Sequence, residues 1–111
     1  MKKKSIRLFK PSFNNDEIVA LKKIFKRSWI GYGKEVKRFE EHWSKYIGIK
    51  YSVGVTSCSA ALHIALASQN FKKKKKVLIP AMTFTATAAA ALYCDLEPVF
   101  VDINEYDLNI N

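Results

Sequence analysis

Three short stretches of the 111-residue chain place residue types at spacings that could do chemistry. The first, Thr56-Ser57-Cys58-Ser59, is a turn of small residues running into Ala60–Ala67, a strong helix former. A helix start leaves backbone N–H groups unpaired and carries partial positive charge, so small residues there let an anion approach. Ser57 and Ser59 add hydroxyls, although both residues also serve as ordinary helix caps. The second stretch, Pro80-Ala81-Met82-Thr83-Phe84, follows the short apolar run Val77-Leu78-Ile79. In an open parallel sheet it lies at the strand edge where ligands bind, and Phe84 there either stacks on a planar heterocycle or joins the core. The third is the glycine-broken loop Trp29-Ile30-Gly31-Tyr32-Gly33. Cys58 and Cys94 form no CxxC pair, and His42 and His63 share no ligand spacing with either, so no metal site is read. Both thiols are expected to be free and buried.

The elements that must position these residues follow from pattern. Asn14, Asn15 and Asp16 are cap types, with Ile18, Leu21 and Phe25 at helical spacing behind them, which predicts a helix from about 14 to 27. A second helix is expected from about Lys34, with an apolar face of Val36, Phe39, Trp43 and Tyr46/Ile47 read as packing and Gly48 as its end. From Tyr51 the pattern changes. Tyr51–Val55, Val77–Ile79 and Pro98–Asp102 read as strands, separated by helices from about 60 to 67 and from Thr83 to about Tyr93. Strand, helix, strand, helix, strand predicts an α/β fold with a parallel sheet and crossover helices. Residues 1–50 form the leading helical segment and 51–103 the βαβαβ part, and the polar tail 104–111 closes no further element. Three strands need cover at their edges, so the chain reads as the incomplete front of a larger domain.

Composition bounds the partners. The chain is 49% hydrophobic, enough for a real core and too much for whole-chain disorder. No run approaches the roughly 18 apolar residues of a membrane span, and Lys10-Pro11 interrupts the basic start before a secretion signal can form. A soluble, cytoplasmic protein is expected. The net charge of +9 is uneven: residues 1–50 carry +9, residues 51–76 carry five lysines and no acid, and residues 77–111 carry five acids and no base. Such a basic half suits nucleic acid or another polyanion. With three arginines in all, a solvated lysine surface is the reading preferred, including for the run Lys72–Lys76.

Taken together, these stretches resemble the amino-terminal part of the DegT/StrS family of sugar aminotransferases, pyridoxal-phosphate enzymes of fold type I. Five segments stand in the family's order and spacing: Trp29-Ile30-Gly31 with Gly33, Phe39-Glu40, Ser57–Leu66, Pro80–Thr87 and Glu97–Ile103. The resemblance implies the amino-terminal part of the fold-type I large domain. It also implies roles. Cys58, Ser59 and Ala60 match the turn that holds the cofactor phosphate, with Cys58 where the family has glycine. Phe84 matches the aromatic that stacks on the pyridine ring, and Gly31 and Tyr32 match a segment at the active-site mouth that touches substrate. Asp102 falls in a sheet strand and is structural.

Two departures accompany the match. Lys72–Lys76 stand where the family has Pro-Gly-Asp-Glu, with Asn70 near a usual glycine. The chain also ends before the family's aspartate that pairs with the pyridine nitrogen and before its Schiff-base lysine, so no catalytic residue is expected up to Asn111, and the chain is expected to be inactive alone. The complete relative would move an amino group from glutamate or a similar donor to a nucleotide-linked keto-sugar for surface polysaccharide or amino-sugar synthesis. It would work as a homodimer, with no nucleic-acid or membrane partner. The alternatives are a pyridoxal-phosphate-dependent sugar dehydratase of the same family and, from a different class, a basic polyanion-binding module.

Overall fold

The structure, a computed structural model, describes residues 6, 7, 9–72 and 74–111, which fall into two units, Met1–Ser52 and Val53–Asn111. The first unit holds α1 (Asn15–Lys26) and α2 (Lys34–Ile47). Local chemistry accounts for their ends. Asn14 accepts from the Asp16 amide at 2.6 Å while the Glu17 carboxylate accepts from the Asn14 amide at 2.7 Å, a reciprocal box that satisfies amides the helix leaves orphaned. α2 stops at Gly48, whose φ of +80° is costly for any residue with a Cβ; its amide and that of Ile49 both donate to the Ser44 carbonyl. Ser52 donates to the Glu40 carbonyl at 2.6 Å, so the 2.6 Å contact between the Ser44 and Ser52 hydroxyls has Ser44 as donor. That relay ties the end of the unit back onto α2.

The apolar face of α2 departs from expectation. Phe39, Trp43 and Tyr46 are exposed and lean on one another, with centroids 6.2 and 6.0 Å apart, rather than entering a core. Helical spacing brings such residues onto one face but does not supply the surface that covers it.

The second unit contains α3 (Cys58–Ser68), β1 (Lys76–Pro80), α4 (Ala86–Tyr93) and β2 (Glu97–Val101). β1 and β2 pair in parallel from Lys76↔Glu97 to Pro80↔Val101, and the Ala81 amide extends the ladder to the Val101 carbonyl at 2.9 Å. α4 is the crossover and packs on both strands, with α3 packed against α4. Ile79, at 1% exposure, Ala91 and Leu96 form the core, flanked by Leu66, Val77, Ala88 and Cys94. The small alanines of α4 let the helix sit close to the strands.

Two expectations need correction here. Among the described residues the sheet has two strands, not three: Tyr51–Val55 is assigned no strand, and Tyr51 and Val53 are exposed. A strand exists only through a neighbour that completes a ladder of hydrogen bonds, and the one ladder among the described residues joins β1 and β2. The core is also smaller than the composition promises. Val77–Ile79 and Val99–Val101 are continuous apolar runs of the kind buried on both faces, yet Leu78 is 60% and Phe100 59% exposed.

Five described non-glycine residues take up left-handed backbone, Ser28, Asn70, Lys74, Asp95 and Leu108, and two of them are of the types that tolerate it best. Asn70, standing near the family's glycine, has φ +51° and Asp95 has φ +55°. Past β2, Ile103 and Ile110 form an isolated antiparallel bridge around a turn, which the Asn104 and Asn109 backbones close with a 2.8 Å hydrogen bond. No helix among the described residues is long and apolar enough to cross a membrane.

Candidate functional site

The start of α3 is built by Ser57. Its extended backbone, φ −161° and ψ 161°, brings its hydroxyl to the Ala60 amide at 3.1 Å, and its carbonyl accepts from the Ala61 amide. Of the three amides expected to face an anion, that of Ala60 is therefore already engaged. Those of Cys58 and Ser59 have no partner among the described residues, and both side chains are exposed. Cys58 sits at the first helical position, so the expectation of a buried thiol fails there, while Cys94 is half-buried; both are free.

The start of α4 carries the second element. After β1 the chain turns through Ala81–Thr85, with the Thr83 and Thr87 hydroxyls 3.0 Å apart and the Thr87 amide on the Phe84 carbonyl. Phe84 is 77% exposed. Its ring is thus available for stacking and takes no part in the core.

Packing brings the two starts to one end of the unit. His63 in α3 meets Tyr93, the last residue of α4, with centroids 5.3 Å apart. Asn70 and Phe71, just past α3, line one small cavity with Asp95 and Leu96, just past α4. The helices therefore run parallel with their carboxyl ends together. At 1.5 Å per residue, α3 begins about 7.5 Å before His63 and α4 about 10.5 Å before Tyr93, so their first residues are level to within about one turn. α4 leaves the carboxyl end of β1, hence this is also the carboxyl edge of both strands. Unpaired amides, two helix amino termini and an exposed ring share the edge where open α/β sheets bind ligands.

Gly31 and Tyr32 lie in the other unit. The loop after α1 folds around Trp29, whose ring nitrogen donates to the Tyr32 carbonyl at 3.0 Å. A Cβ on Gly33 would stand 2.9 Å from that nitrogen, so any larger residue there would displace the Trp29 ring. The loop lines a mostly apolar cavity of about 560 Å³ with Ile24 and Val36, and the Arg27–Glu35 ion pair joins its two flanks. The Tyr32 hydroxyl donates to Glu40 at 3.0 Å, and that hydrogen bond pushes the phenol pKa up, because ionisation would set two negative oxygens together.

The fold is that of an α/β protein with two helix starts at the carboxyl ends of its parallel strands. The DegT/DnrJ/EryC1/StrS aminotransferase family matches residues 11–111, and the chain belongs to it. It is 38% identical over 90% of its length to the UDP-4-amino-4,6-dideoxy-N-acetyl-beta-L-altrosamine transaminase of Campylobacter jejuni, covering 26% of that protein. It is 33% identical over 91% of its length to the spore coat polysaccharide biosynthesis protein SpsC of Bacillus subtilis, covering 26% of it. Its structure resembles the E. coli GDP-4-keto-6-deoxy-D-mannose-3-dehydratase with bound hydrated pyridoxal phosphate, with a TM-score of 0.88 and 28% identity, over 94% of this chain and 28% of that one. The chain spans about a quarter of the length of the curated relatives it matches.

Proposed function

We propose that the protein carrying this chain is a pyridoxal-phosphate-dependent sugar aminotransferase, passing an amino group from glutamate or a similar donor to a nucleotide-linked keto-sugar for surface polysaccharide or amino-sugar synthesis. Two observations support this reading: the Cys58 and Ser59 amides are unpartnered at the start of α3, and Phe84, just past β1 and before α4, is exposed, with both helix starts at the carboxyl end of the strands. That pair suits a flat phosphorylated heterocycle. Cys58 and Ser59 hold its phosphate through backbone N–H and the Ser59 hydroxyl, Ala60 keeps the approach open, and Phe84 covers one ring face. Bound there, pyridoxal phosphate supplies the electron sink that lets an amino group move between donor and carbonyl acceptor. Gly31 and Tyr32 offer the sugar a backbone surface and a ring, since the Tyr32 hydroxyl is already held by Glu40.

The covalent role and the pyridine-nitrogen partner belong, on this reading, to residues outside this chain, and the working protein is a cytoplasmic homodimer. A second reading, a sugar dehydratase of the same family, is favoured by the likeness to the E. coli 3-dehydratase. Incubation of the protein carrying this chain with pyridoxal phosphate, nitrogen-15 glutamate and nucleotide-linked keto-sugars separates them. Heavy nitrogen retained in the sugar is the expected result. Loss of a sugar hydroxyl without nitrogen gain identifies the dehydratase, and no change to any sugar refutes both.

A further inference from the structure

The end of the second unit opposite the candidate site carries the lysine run. Lys72, Lys74, Lys75 and Lys76 are all exposed, and backbone bonds pin the run in place: the Lys74 amide donates to the Asp95 carbonyl at 2.7 Å and the Glu97 amide to the Lys75 carbonyl at 2.9 Å. What the run alone does not reveal is its surroundings. Phe71 directly precedes it and shares a cavity with Tyr93, while Leu92 shares another with Lys74. All three apolar side chains are exposed by more than half. Asp95 and Glu97 line the cavity that Lys74 also lines, so acidic residues share this edge with the run.

We propose that this edge docks on an anionic lipid surface, the lysines meeting the headgroups and Phe71, Leu92 and Tyr93 entering the interfacial layer. Charge complementarity selects the partner. A cluster of lysines attracts an anionic leaflet without demanding defined geometry, and amphipathic rings settle at the headgroup level. Recognition of nucleic acid bases favours the planar arginine fork instead, and this edge has no arginine. Docking through this end leaves the edge holding Cys58, Ser59 and Phe84 facing away from the membrane.

The test is co-sedimentation of the chain with vesicles of phosphatidylcholine alone and of phosphatidylcholine with 30% phosphatidylserine. Binding is expected only to the anionic vesicles, with steep loss as salt rises through the range that shortens the Debye length below about 5 Å. Replacing the four described lysines by Gln is expected to weaken binding about twenty-fold or more, at about five-fold for each lysine that reaches the headgroups. Phe71→Ser is expected to weaken it several-fold at unchanged charge. A control replacing Lys10, Lys22, Lys23 and Lys26 by Gln removes equal charge elsewhere and is expected to bind nearly as the parent does. Equal binding to both vesicle types, equal loss in the control, or tighter capture by a DNA duplex that the lysine variant abolishes would overturn the proposal. The salt series needs no variant, so it decides even if one fails to fold.

Discussion

Cys58→Pro probes the anion edge with little collateral damage, because the structure places Cys58 at the first helical position. Proline is well tolerated there: its missing N–H is one the helix leaves unpaired, and its fixed φ suits the first turn. The residue before a proline must be extended, and Ser57, at φ −161° and ψ 161°, already is. The cap bond from Ala60 to Ser57 is untouched. The substitution therefore deletes one of two free donors and leaves α3 standing. A backbone N–H bond to a charged acceptor contributes about 1.5–3 kcal/mol, so affinity for pyridoxal phosphate should fall about 10- to 150-fold. Titration calorimetry with pyridoxal phosphate and with unphosphorylated pyridoxal measures it, with circular dichroism as the check on helix content. The phosphate-dependent part of the affinity should fall while helicity holds. Unchanged affinity with intact helicity would refute the assignment of this helix start to the anion.

Three further outcomes follow from particular contacts. Ile79→Ala truncates the one large side chain that is fully buried among the described residues and should destabilise the second unit by about 2–4 kcal/mol, read as a lower chemical-denaturation midpoint. Gly33→Ala puts a Cβ against the Trp29 ring nitrogen and should break its bond to the Tyr32 carbonyl, shifting tryptophan emission and the indole N–H resonance. The Asn14 amide lowers the pKa of Glu17 below its ordinary 4.5, so the folded form binds its proton less readily than the unfolded form. Its contribution to α1 is then full above about pH 4.5 and is lost as pH falls through the depressed value; amide shifts of residues 14–17 should report fraying there, and Glu17→Gln should abolish that pH dependence.

Legibility in the sequence divided along local and non-local lines. Asn14, Gly33 and Gly48 bound their helices through contacts within a few residues, so α1 and α2 were readable almost to the residue. The parallel pairing of Val77–Ile79 with Pro98–Val101 was readable because a short crossover helix leaves few other arrangements. Tyr51–Val55 has the composition of a strand, yet strandedness depends on a partner that composition does not contain. Phe39, Trp43 and Tyr46 show the same limit on a helix: periodicity identifies the apolar face and is silent on what covers it. At the site, residue types pointed to Cys58, Ser59 and Phe84. The engagement of Ala60 by Ser57 needed coordinates, because a serine before a helix can serve either as cap or as anion donor.

The central claim is that one strand edge holds both the phosphate and the ring of a single cofactor. Titration of the nitrogen-15-labelled chain with pyridoxal phosphate, followed by amide and aromatic resonances, tests it most directly. Saturable shifts of the Cys58 and Ser59 amides together with the Phe84 ring, at one shared midpoint, are expected, while inorganic phosphate should move the amides and leave the ring still. Shifts confined to lysine-flanking amides, or amide and ring responses with different midpoints, would contradict a single cofactor at this edge.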